Sequence, residues 1–139
     1  MKFETKDSGA RHQYTSGMIR DKREDKDNFY LILPLDMPYS EQMLTRWAQL
    51  MTRGGVKYSP RNWEKAGGEA EYHDFKASAM RHFIQWICGE TDEDHAAAVY
   101  FNIQGAEYVN YKMNKSLEGE LQEGTESEES TSSKGTWNE

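Results

Sequence analysis

Two helix-patterned segments separated by a very short joint constrain this chain more than any other feature. From near Glu71, the residues Phe75, Ala79, His82, Phe83 and Trp86 recur at helical spacing, and Gly89 is a natural stop. A second run starts at Thr91 or Asp92 and ends near Met113. It places Ala96, Val99, Ile103, Ala106 and Val109 or Asn110 on one side. With only about three residues between them, the two helices must lie side by side and antiparallel. Ala96-Ala97-Ala98 allows a neighbouring helix to approach closely.

Upstream, residues 1–28 are polar, carry both signs of charge and read as an irregular lead-in. The run Phe29–Leu35 suits a short strand stopped by Pro34, or an extended apolar arm over a helical core. Ser40 with Glu41 predicts the start of another helix, with Leu44, Trp47, Ala48 and Met51 at helical spacing and Gly54-Gly55 as its end. Residues 56–70 read as a loop punctuated by Pro60 and Gly67-Gly68. From Lys115 the apolar pattern stops, and the tail carries seven acidic residues against two lysines, with Trp137 isolated near its end. The expectation is an all-α fold: a small antiparallel helical bundle over 29–114, an extended N-terminal arm, and a disordered acidic C-terminal tail over 115–139. So thin a core predicts a homo-oligomer, a dimer or larger.

Several function classes drop out. The net charge of -7 is concentrated in the tail, so the body is nearly neutral and offers no basic patch for duplex nucleic acid. No stretch is long and apolar enough to span a membrane, and no apolar leader opens the chain, so a cytoplasmic location is expected. The single cysteine, Cys88, lies in an apolar run and reads as structural. Neither GxxxxGK(S/T) nor GxGxxG occurs.

Three groups of residues remain as carriers of chemistry. Glu90-Thr91-Asp92-Glu93-Asp94 followed by His95 is dense enough in carboxylates to hold a hard divalent cation. Acidic residues also suit a first helical turn, and Thr91 with Asp94 resembles a capping box. On facing helices, His82 and Glu90 would oppose Asp94, His95 and Asn102 as an inward polar layer, more than packing alone requires. In the loop, Lys57, Tyr58, Arg61, Asn62, Trp63 and Lys65 combine cations for phosphate oxygens, aromatic faces for a base and an amide for a base edge or sugar. An ordinary surface loop anchored by Trp63 would look similar.

In this order, Gly55-Val56-Lys57-Tyr58, Asn62-Trp63-Glu64-Lys65, Arg81-His82, Gly89-Glu90, Glu93-Asp94-His95 and Asn102 resemble the phage dATP/dGTP diphosphohydrolases of the MazZ type. These belong to the wider MazG-like all-α NTP pyrophosphohydrolases. Ser16–Asp21 and Leu31–Pro34 resemble the opening of that family, so the likeness covers about residues 9–113. It implies hydrolysis of a purine deoxynucleoside triphosphate to monophosphate and pyrophosphate, assisted by Mg²⁺ or Mn²⁺, in a phage or a bacterium carrying one. Carried over by position, Glu90, Glu93 and Asp94 are the metal ligands, with His82 beside them in the catalytic set. Lys57, Arg61 and Arg81 serve the phosphates, Tyr58, Asn62, Trp63 and Lys65 lie near the nucleotide, and His95 and Asn102 match the second helix. Two departures stand out: Ala98 replaces a second histidine, and His82 and Gln85 stand where MazG-like enzymes usually present an acidic pair. The alternative is a non-catalytic nucleotide-binding or protein-interaction module on the same helical fold.

Overall fold

A computed structural model describes residues 2–131, which divide into two compact units, one up to Asp36 and the other from Met37 onward. The first is not wholly irregular. Strands β1 (Arg11–Gln13) and β2 (Ile19–Asp21) pair antiparallel in the register Arg11↔Asp21, His12↔Arg20, Gln13↔Ile19. Gly17 sits at φ +88° in the connecting turn, a conformation only glycine adopts without strain. Arg11 ties the base of this ribbon by ion pairs to Asp7 and Asp21 at 2.7 and 2.6 Å. Phe29–Ile32 is a 3-10 turn, not a strand. The Asn28 carboxamide oxygen accepts from the Tyr30 N–H at 3.2 Å, so this backbone is satisfied locally instead of in a ladder.

The second unit holds α1 (Met43–Lys57), α2 (Glu69–Ile87) and α3 (His95–Thr131). Helix α2 packs along α3, and α1 packs against α3, giving the expected all-α bundle. Ser40 is not the cap of α1; it lies in a 3-10 turn, Tyr39–Glu41, and the helix starts two residues later. Gly54 and Gly55 do not end α1 but sit inside its last turn, and Tyr58 closes it with an N–H to the Gly54 carbonyl at 3.0 Å. Gly89 does terminate α2. At φ +77° it donates to Trp86, and Glu90 donates back to Gln85 at 3.0 Å, the paired bonds of a Schellman motif.

The helix after this joint starts at His95, not at Thr91 or Asp92. Asp94 caps it, its carboxylate accepting from the Ala97 N–H at 3.1 Å, and the Thr91–Asp94 capping box does not form. The α2–α3 seam is built from small residues. Ala97, Ala98, Ala106 and Val109 are buried, and a Cβ on Gly105 would lie 2.5 Å from a Phe75 ring carbon. Phe83, Trp86 and Ile103 are exposed, contrary to expectation, as are Leu44 and Ala48 on α1. The inward line of α2 instead runs through Phe75, Ala79, His82 and Gln85, turned towards the last of these and away from Phe83.

The packed bundle ends near Met113, but α3 does not: it continues to Thr131 through the stretch expected to be disordered, with every side chain from Asn114 to Gly124 exposed. Lys, Leu, Glu and Gln are good helix formers, and extending an existing helix avoids the cost of nucleating one. The rest of the tail, including Trp137, lies outside the described residues. Among the described residues, no helix is long and apolar enough to cross a membrane.

Candidate functional site

The joint between α1 and α2 is folded tightly against α3. Asn62–Lys65 form a 3-10 turn entered through Arg61, which adopts the left-handed conformation at φ 62°, ψ 21°. Lys112 of α3 donates to the carbonyls of Glu64 and Ala66, and Arg61 pairs with Glu64. Trp63 meets Tyr108 edge-on at 5.2 Å and Phe101 at 6.4 Å, while Phe101 meets Phe75 at 5.8 Å. Trp63, Phe75 and Phe101 line a cleft of about 510 Å³, within the range of small-molecule sites.

The cleft brings together Lys57, Tyr58, Arg61, Asn62 and Trp63 from the joint, Arg81 and His82 from α2, and Glu93, Asp94 and Asn102 around the start of α3. Lys65 falls in an adjoining hollow that shares Asn62, Trp63 and Asn102 and adds Glu71 and Asp74. Glu90 and His95 do not line the cleft. Sequence reasoning missed Arg53, which lies one turn before Lys57 on α1 and adds a fourth cation to the wall. The i, i+4 spacing of Arg53 and Lys57 was the available signal.

His82 and His95 are buried, 8% and 2% exposed, and their Nδ1 atoms lie 2.9 Å apart in a hydrogen bond. His95 Nε2 meets Asp92 Oδ1 at 2.8 Å, and Arg81 Nη2 reaches His82 Nε2 at 3.4 Å. Burial first, and the Arg81 charge second, push the His82 pKa below its ordinary value. The hydrogen bond from His95 holds the Asp92 carboxyl below the usual carboxylate range. Asn102 turns its amide back onto the Ala98 carbonyl at 2.8 Å, while its side chain still borders the cleft.

Asp94 departs from its expected role. Arg46 grips both its oxygens, Nε to Oδ2 at 2.8 Å and Nη2 to Oδ1 at 2.7 Å, and this pairing keeps its pKa low. With Ala97 also donating to it, the carboxylate is a strut between α1 and α3 and joins neither cluster suited to a cation. Those clusters are His82, Glu93 and His95, and Glu90, Asp92 and His95, each with ligand atoms within 4.8 Å of one another. Both ring nitrogens of His95 are already engaged, and Asp92 is taken by one of them, so the carboxylates of Glu90 and Glu93 are the donors that fit a hard cation.

One helical scaffold thus sets four cations and three aromatic rings around a cleft that also holds the exposed Glu93. Residues 17–116 match the family described as dATP/dGTP diphosphohydrolase, N-terminal. The chain belongs to that family. No curated protein and no solved structure matches it. As a member of the dATP/dGTP diphosphohydrolase family, the chain keeps every residue of the cleft within the matched segment. The family match leaves out the first sixteen residues and all of those after Ser116.

Proposed function

We propose that this chain hydrolyses purine deoxynucleoside triphosphates, dATP or dGTP, to monophosphate and pyrophosphate in the cytoplasm, with Mg²⁺ or Mn²⁺ as cofactor. One observation carries the reading: Arg53, Lys57, Arg61 and Arg81 line the same cleft as Trp63, with Glu93 at its edge. The four cations meet the negative oxygens of the triphosphate, and the guanidinium groups can do so in pairs of hydrogen bonds. Trp63 and Asn62 take the base, one by stacking and the other by its amide. Glu90 and Glu93 hold the cation, which when bound neutralises charge on the triphosphate and lowers the pKa of water. The family membership supports the reaction class, and the acid–histidine clusters support the cation. Met80, Phe83, Ile84, Trp86 and Ile87 leave apolar surface exposed along α2, which supports assembly with a second copy.

A non-catalytic nucleotide-binding module on the same fold remains the second reading. The observation favouring it is that Asp94 is held by Arg46 and the helix before Glu90 presents His82 and Gln85 in place of carboxylates. A nucleotide panel with Mg²⁺ or Mn²⁺, resolved by chromatography, separates the two. Monophosphate and pyrophosphate from dATP or dGTP support the enzyme. Binding of dGTP without turnover in either metal overturns it.

A further inference from the structure

Arg81 is held by more than its own helix. An arginine side chain can only donate hydrogen bonds, so each atom that meets its guanidinium must accept. His82 Nε2, 3.4 Å from Arg81 Nη2, therefore carries a lone pair, and the proton of this neutral ring sits on Nδ1. That Nδ1–H points at His95 Nδ1 at 2.9 Å, which must accept in turn, so the proton of His95 is on Nε2. His95 Nε2 then donates to Asp92 Oδ1 at 2.8 Å. Reversing the chain would aim an N–H of His82 at the N–H groups of Arg81. A second chain leaves the same guanidinium: Arg81 Nη1 donates to Gln85 Oε1 at 3.4 Å, and Gln85 Nε2 donates to Glu90 Oε2 at 2.9 Å. Both chains run one way, from a cation on the cleft wall to a carboxylate of the acidic segment.

We infer that Asp92, His95 and His82, together with Gln85 and Glu90, form two converging hydrogen-bond chains that aim the Arg81 guanidinium into the cleft. Asp92, His95 and Gln85 are positioning residues, acting on substrate only through Arg81. Bonds aligned in one direction polarise one another, and burial of both histidines shields the longer chain from water. The consequence for binding rests on the proposed triphosphate-hydrolysing reading; the arrangement of protons does not.

Two measurements test it on the full chain. Nitrogen-15 NMR of the imidazoles should show His82 protonated at Nδ1 and His95 at Nε2. The opposite assignment at either ring overturns the inference, whether or not the protein turns over any nucleotide. Asp92 is solvent-exposed, so Asp92→Ala leaves the fold intact. With dGTP as substrate it should raise KM about tenfold and leave kcat nearly unchanged, while Asp92→Asn, which keeps an acceptor oxygen, restores much of the loss. In an Arg81→Ala background, Asp92→Ala should add little, because the chain then has nothing to aim. Strictly additive effects of the two substitutions would overturn the inference. If the wild-type protein lacks turnover, the functional proposal fails and the NMR assignment still decides this one.

Discussion

Arg46 and Asp94 form a two-bonded ion pair that fastens α1 to the residue capping α3 across 48 positions of sequence. The pair is part-buried, and the carboxylate also caps the helix, so removing the guanidinium strands a charge in a poorly solvated place. Arg46→Ala should lower stability by about 1–3 kcal/mol, read from the denaturant midpoint. An unchanged midpoint would mean that the pair is no strut.

Acid should loosen the structure in two stages. The folded pKa of His82 lies below its unfolded value, so its contribution is full above about pH 6.5 and falls as pH drops through that value. The folded pKa of Asp94 is also depressed, so its contribution is full above about pH 4 and falls below it. Thermal midpoints measured from pH 8 to pH 3 should decline gently first and steeply later. Replacing His82 by Gln should remove the first decline.

Gly105 is where a glycine in mid-helix is needed for packing. Alanine would ordinarily gain about 1 kcal/mol of helix propensity. Here its Cβ would lie 2.5–2.7 Å from three atoms of the Phe75 ring, so Gly105→Ala should destabilise by about 1–3 kcal/mol. Combining it with Phe75→Leu should recover part of that loss in a double-mutant cycle.

Arg61 occupies a left-handed conformation that glycine adopts freely. Arg61→Gly should relieve about 1 kcal/mol of backbone strain, partly offset by the greater freedom of the unfolded chain. It should also weaken nucleotide binding, since a cation of the cleft wall is lost. Stability and KM measured on one preparation should therefore move independently; loss of both, or of neither, contradicts the role given to Arg61.

Glu90→Gln should abolish turnover with helical circular dichroism intact, because the Schellman closure uses the backbone of Glu90 and not its carboxylate. Glu93→Gln should do the same. Full activity in either removes that residue from the proposed cation site.

Helix number, the antiparallel joint and the inward turn of His82, His95 and Asn102 were legible because each rests on spacing within one segment. What was not legible depends on partners far apart in sequence. Nothing local announces that Arg46 will take the Asp94 carboxylate, yet that bond removes Asp94 from the candidate cation donors. The glycine pair in α1 carried a stop signal that packing of the last turn overrode. Helical spacing put Phe83 and Trp86 on the same face as Phe75, Ala79 and His82, whereas the small-residue seam of α3 admits only one narrow line of α2. Arg11 with Asp7 and Asp21 likewise turns a polar lead-in into a hairpin through contacts that composition does not encode.

Residues 90–94 are pinned at one end by the glycine closure of α2 and at the other by the capped, ion-paired start of α3. The backbone that carries the carboxylates between these anchors is set by folding itself. Under the proposed function, a divalent ion would relieve the mutual repulsion of these carboxylates without having to organise the backbone. On the same proposal, cation binding and thermal stability are two readings of one equilibrium: added Mn²⁺ should raise the melting temperature with the logarithm of its concentration over its dissociation constant, and a chelator should reverse that rise.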